Sequence, residues 1–212
     1  MTNAPTVTAD LSLKLAPRLR PETVQALAQQ IPADKRNLFI FGLGYTGQYI
    51  ARQLVQAGWQ VGGTSRQAET REPLQNLGIR AIDFTAVSEA TLGQYDNILV
   101  TIGPLRETGD EPADAVMAAY SHELAAAKPR WIGYFSATSV YGPAAEDQGE
   151  GQGEEQWVDE HFPTEPSTSR GQRRLATELQ WADWADAHKI ALSRFRIAGI
   201  YGPGRNIMEQ LQ

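Results

Sequence analysis

The stretch Asn37 to Arg66, NLFIFGLGYTGQYIARQLVQAGWQVGGTSR, constrains the fold more than any other part of the chain. An unbroken apolar run, Leu38 to Phe41, leads directly into G-L-G-Y-T-G. Beyond it, Ile50, Leu54 and Val55 recur at helical spacing. The pattern predicts a buried strand, a tight turn, a helix over Gly47 to Ala57, and a second strand in WQVGGTS. Each glycine has a physical task in such a unit. Gly42 permits the turn out of the strand. Gly44 leaves the backbone bare where a pyrophosphate approaches, and Gly47 lets helix and strand pack closely. Tyr45 and Thr46 complete the turn, whose free N–H groups lie at the positive end of the helix and suit phosphate oxygens. The expected dinucleotide site therefore contains Gly42, Gly44, Tyr45, Thr46 and Gly47.

The end of the second strand bears on which dinucleotide is held. An NAD-selective site places an acid there to take the ribose 2′-hydroxyl. This chain reads GGTSRQ, with no carboxylate before Glu69. Thr64, Ser65 and Arg66 suit a 2′-phosphate instead, because guanidinium matches phosphate geometry and hydroxyls add hydrogen bonds. NADP is thus preferred, with NAD the alternative. The bland reading of Arg66 is an exposed loop arginine. Asp83, after the strand IRAI, either caps the next loop or meets the adenine edge. Thr101 and Gly103, in TIGP, end a strand where a doubly wound sheet opens its ligand crevice.

The remainder of the chain keeps the same rhythm. IRAIDF and NILVTIG read as strands three and four, WIGYFSATSVYG as the fifth and ALSRFRIAGIYG as the sixth. Pro112 to Ala127 and Gly171 to His188 read as helices between them. Strands alternating with helices imply an α/β fold: a doubly wound, Rossmann-like parallel sheet covered on both faces. The domain spans 37–212, preceded by an extension over 1–36. In that extension Pro21 to Ile31 places Val24, Leu27, Ala28 and Ile31 on one helical face. A stretch at 146–160 carries seven acids and no base, and reads as a solvated loop, or alternatively as a lid or partner surface.

The bulk numbers exclude whole classes of function. A net charge of -6 argues against a nucleic-acid partner. The absence of cysteine removes disulfides, thiolate catalysis and cysteine metal sites. No apolar span reaches membrane length, which leads to the expectation of a cytoplasmic protein without a membrane partner. The three histidines, His122, His161 and His188, are scattered, and no metal site is expected.

Three motifs in order, G-L-G-Y-T-G, SATSVYG and FRIAGIYGPGRN, resemble the short-chain dehydrogenase/reductase superfamily. The resemblance is strongest to its extended and atypical branch, which includes NAD(P)-dependent nucleotide-sugar epimerases and dehydratases. QWVDEHFPTEPSTSRGQRRLATE is similar to the atypical members. The resemblance covers Asn37 to Asn206. It implies hydride transfer, with a tyrosine as acid/base, a lysine four residues later that lowers the tyrosine pKa and holds the ribose, and a serine or threonine on the substrate oxygen. A phenol near pKa 10 needs such a cation to work at neutral pH. Carried onto this chain, the tyrosine position is Arg170, the lysine position Arg174, and the hydroxyl position Ala137. Guanidinium stays charged and exchanges no proton. Ser136 and Thr138 flank the altered position and Tyr141 is the nearest phenol, so these three are the remaining catalytic candidates.

The resemblance also implies a substrate lobe and a seventh strand beyond the Y-G-P-G motif. The sequence ends at Gln212, so most of that lobe is expected to be absent, with a sheet edge or apolar face exposed. In the superfamily the helices corresponding to 112–127 and 171–188 form a dimer interface, which implies a possible homodimer here. Trp181 and Trp184 read as core or dimer packing. Arg194 and Arg196 either reach a phosphate or form salt bridges. Two functions follow: an NAD(P)-dependent oxidoreductase or epimerase of unorthodox mechanism acting on an unknown small molecule, or a dinucleotide-binding sensor or scaffold without turnover.

Overall fold

The computed structural model describes residues 26, 30–105, 114–142 and 158–205. Most of the helix expected over Pro21 to Ile31 and most of the acidic stretch 146–160 lie outside the described residues. Within them the chain forms β1 (Asn37–Phe41), α1 (Tyr45–Gln56), β2 (Gln60–Thr64), α2 (Ala68–Asn76), β3 (Arg80–Ile82), α3 (Glu89–Leu92) and β4 (Asn97–Val100). It continues through α4 (Ala115–Ala127), β5 (Trp131–Ala137), α5 (Ser169–Ala187) and β6 (Ala191–Ile197). The strands form one parallel sheet in the order β3-β2-β1-β4-β5-β6.

This order follows from the handedness of parallel crossovers. Each strand–helix–strand unit turns right-handed. The chain runs outward from β1 to β3, then restarts at β4 and runs outward the other way. The two halves therefore lay their helices on opposite faces. Strand alternation divides the core accordingly. Leu38, Ile40, Val61 and Leu99 pack with Ala51 of α1 and Leu74 of α2. Phe39, Phe41, Ile98, Val100, Ile132 and Tyr134 pack with α4 and α5. Trp181 is fully buried there, stacked on Tyr134 with ring centroids 6.1 Å apart. It is a core residue, one of the two roles its spacing allows.

Two of the helices that the sequence shows clearly, α4 and α5, have side-chain caps in place. Asp114 Oδ1 accepts from the Val116 and Met117 N–H groups, and Thr168 Oγ1 accepts from Gly171 N, opening α4 and α5. Each of these helices starts near, but not at, the residue its pattern suggests. Helix α2 goes unseen in the sequence because Pro73 interrupts it and Leu74 is its one buried residue. The four-residue α3 is too short to show a period.

Beyond β5 the coverage thins. β6 forms the sheet edge, with Phe195 42% exposed. Between α1 and β4–β6 lies an open groove of about 480 Å³, lined by Ile50, Leu54, Leu99, Trp131, Phe135 and Phe195. Among the described residues, a sheet edge and an apolar face are open, as the sequence leads one to expect. Among the described residues no helix is long and apolar enough to cross a membrane.

The burial of Trp181 gives a test of this core. Trp181→Ala is expected to lower the unfolding free energy by about 3–5 kcal/mol. Gln180→Ala, exposed one residue earlier, should change it by less than about 0.5 kcal/mol. Chemical denaturation of the two variants makes the comparison.

Candidate functional site

The glycine turn sits at the switch point of the sheet, where β1 and β4 are neighbours but their helices depart to opposite faces. Gly42 has φ +103°, and a Cβ there would lie 2.6 Å from Thr101 Oγ1 and 2.9 Å from Ile102 Cγ1. At Gly47 a Cβ would lie 2.2 Å from Gly42 O, so α1 packs against the turn only with glycine at this position. Gly44 differs from both. A Cβ there meets nothing within 4 Å, so its surface opens to space. Gly44 is also the N-cap of α1, with no side chain capping the helix and no acid in its first turn. The leading N–H groups of α1 therefore face open space with their partial positive charge uncompensated. This arrangement fits the pyrophosphate of a dinucleotide.

Two threonines hold the turn. Thr64 Oγ1 accepts from Gly42 N at 3.0 Å. The Thr101 hydroxyl is shared between Gly42 O at 2.7 Å and Phe41 O at 3.1 Å. Leu43 N adds a bond to Thr64 O. These contacts correct the reading of Thr64 as a phosphate ligand: it is 2% exposed and its hydroxyl faces the turn. Thr101 likewise braces the turn. Across the crevice, Tyr45 Oη donates to Pro203 O, and Arg205 lies over the Tyr45 ring. The Y-G-P-G segment thus folds against the start of α1.

At the ends of β2 and β3, Ser65 is half-buried and Arg66 exposed, with no hydrogen bond or ion pair from Arg66 among the described residues. Asp83 takes the capping role, one of its two sequence readings. Its Oδ1 accepts from Thr85 N and Thr85 Oγ1, and its Oδ2 from Arg71 Nη1 at 2.9 Å. The Thr85 backbone N–H foremost, and the Arg71 cation, hold the Asp83 carboxyl below its ordinary value. Arg71, which sequence reasoning passed over, also bonds Ser65 O at 2.7 Å.

The three catalytic candidates sit in different settings. Ser136 is buried, its hydroxyl without a hydrogen-bond partner, while Thr138 is exposed at the end of β5. Tyr141 is buried beneath Arg196, whose guanidinium carbon lies 4.9 Å from the ring centroid, and against Phe162. Its ring packs there, and Arg196 also engages its hydroxyl. Ala137 and Arg170 carry no contact that would do proton chemistry. Arg174 reaches the β4–β5 lip. Its Nη1 donates to Tyr134 Oη at 3.1 Å and to Phe135 O at 3.0 Å, and Nη2 lies 3.0 Å from where a Gly103 Cβ would be.

Tyr134 and Arg174 form a phenol–cation pair beneath α5. Burial pushes the Tyr134 phenol up to about 12, and the Arg174 cation only partly offsets this. Nearby, Asp114 is 1% exposed. Burial pushes its carboxyl up, and the backbone N–H of Met117 and the Trp181 indole N–H beside it only partly offset this. Glu178, fully buried on α5, is held by Arg196 at 3.0 Å and faces Arg194 at 3.8 Å, so both arginines form salt bridges.

The sequence pattern of the NAD dependent epimerase/dehydratase family matches residues 38–211. "Protein YeeZ" of Escherichia coli K12 is 32% identical over 187 residues, which cover 81% of this chain and 61% of that protein. A functionally unknown conserved protein from Silicibacter pomeroyi is 35% identical, with a TM-score of 0.64 over 80% of this chain and 56% of its own. The UDP-glucuronic acid 4-epimerase of Bacillus cereus, solved with NAD, shares the fold at a TM-score of 0.60 and 18% identity, over 78% of this chain and 57% of its own. The chain thus spans about three fifths of the length of these relatives.

Asp114 gives a pH test of the site's support. An acid with a raised folded-state pKa binds more protons folded than unfolded, so stability falls as pH rises from its ordinary 3.8 through the raised value. Asp114→Asn keeps the Oδ1 acceptor and removes that titration. Denaturation across this window should show a steeper decline for the wild type than for the variant. Parallel curves would mean that Asp114 titrates alike in both states.

Proposed function

Because the chain belongs to the NAD dependent epimerase/dehydratase family, we propose that it binds a nicotinamide dinucleotide, NADP in preference to NAD, at the β1–β4 switch point. The observation that carries this reading is the uncapped start of α1 facing open space over Gly44. Gly44, Tyr45, Thr46 and Gly47 hold the pyrophosphate through backbone N–H groups. Ser65 and Arg66 take the 2′-phosphate, since β2 ends without a free carboxylate and Arg66 has no competing partner among the described residues. Thr64 and Thr101 act one layer below, by fixing the turn. When bound, the cofactor supplies a hydride acceptor or donor.

The described residues hold the cofactor but offer no free phenol–lysine pair. Arg170 and Arg174 stand at the acid/base positions, and the Tyr134 phenol is too buried and too basic to exchange protons at neutral pH. This favours a second reading in which the chain binds the dinucleotide without turnover, as a sensor or scaffold. The exposed Leu179 on α5 supports a homodimer through α4 and α5.

Calorimetric titration with NADPH and NADH tests the binding. NADPH should bind more tightly. Arg66→Ala should weaken NADPH about tenfold and NADH less than about twofold, the loss expected for one charge-assisted phosphate contact. Gly44→Val should abolish binding of both while the fold persists. Equal losses for the two cofactors with Arg66→Ala would remove the NADP preference. Oxidation of bound NADPH by sugar nucleotides or simple carbonyl compounds would overturn the non-turnover reading.

A further inference from the structure

The lip formed by the ends of β2 and β3 contains one ion pair whose geometry bears on cofactor choice. Arg71, on the first turns of α2, uses a single nitrogen to bond both Ser65 O and Asp83 Oδ2, at 2.7 and 2.9 Å. Ser65 N in turn donates to Ile82 O, so the tips of the two strands are stitched side by side. Asp83 has no oxygen left free, because Thr85 N and Thr85 Oγ1 occupy Oδ1. This carboxylate lies on the strand next to the Ser65–Arg66 turn. A carboxylate this close to the Ser65–Arg66 turn repels a 2′-phosphate and leaves a 2′-hydroxyl undisturbed. Glu69 and Glu72 on α2 are exposed to solvent.

We propose that Arg71 is a specificity-determining residue that acts through Asp83: by neutralising this carboxylate and holding it against the β3 tip, it makes the lip acceptable to a 2′-phosphate. The inference rests on the reading that the crevice holds a nicotinamide dinucleotide. Arg66 supplies the contact to the phosphate, and Arg71 removes the repulsion from Asp83. Sequence inspection overlooks the pair because Arg71 and Asp83 are twelve positions apart on different elements.

Calorimetric Kd values for NADPH and NADH with the full chain provide the test, alongside thermal melts. Arg71→Gln should weaken NADPH roughly five- to tenfold, the order expected for an uncompensated charge near a phosphate at physiological salt. NADH binding should hold or strengthen. Adding Asp83→Asn to Arg71→Gln should restore most of the NADPH affinity, and Arg71→Lys, which keeps the charge, should leave the ratio near that of the wild type. Parallel losses for both cofactors would show a merely structural tie and overturn the proposal. A NADPH-selective loss that Asp83→Asn fails to restore would instead mean direct contact between Arg71 and the phosphate, and overturn it too. Wild-type protein that binds neither cofactor would fail the dinucleotide reading itself, an outcome distinct from both.

Discussion

The site depends on the grip of two threonines on one glycine. Gly42 leaves β1 with φ +103°, a conformation that side-chain-bearing residues rarely adopt, and it would not hold that turn alone. Thr64, from β2, accepts its N–H, and Thr101, from β4, donates to its carbonyl. Both hydroxyls come from strands that flank β1 in the sheet. The parallel registry of three strands is thereby converted into the position of a single peptide. Gly47 then seats α1 against that peptide with no room for a methyl group. The open space at Gly44 and the uncapped helix start follow from this geometry. What matters at this site is backbone held rigidly by side chains beneath it, so the ligand-facing surface is mostly main chain.

At the other lip of the crevice, burial outweighs pairing. A cation beside a phenol lowers its pKa only if the phenol remains solvated enough to ionise. Tyr134 has the cation, but it lies under α5 against Trp181, and desolvation prevails. Arg174 therefore serves to fasten α5 to the end of β5. Glu178 and Arg196 fasten the same helix to β6. Helix α5 is thus tied down at both strands by guanidinium groups, whose charge is permanent.

Much of this was legible in the sequence, and the rest for physical reasons was not. The glycine spacing and the apolar strand before it point to the turn, the helix start and the parallel sheet, because those features are local. The six strands and the main helices appear where the apolar pattern is continuous. Helix α2 escapes because Pro73 and its polar composition hide the period. The sharp turn at Gly42 and the close packing at Gly47 are legible from their spacing. Thr64 was read as a ligand because it ends the strand at the right place; that its side chain faces inward to Gly42 depends on the sheet's pleat and burial. The roles of Arg71, Arg174 and Arg196 emerge only once distant segments meet. An arginine side chain is long enough to reach several partners, and sequence does not say which.

The central claim is that the start of α1 holds the pyrophosphate of a nicotinamide nucleotide. A crystal structure of the chain grown with NADPH measures this directly. The account requires phosphate oxygens within hydrogen-bond distance of the Tyr45 and Thr46 backbone N–H groups, above Gly44. Crystals saturated with the nucleotide that show this position vacant, or the nucleotide bound elsewhere on the chain, would contradict it.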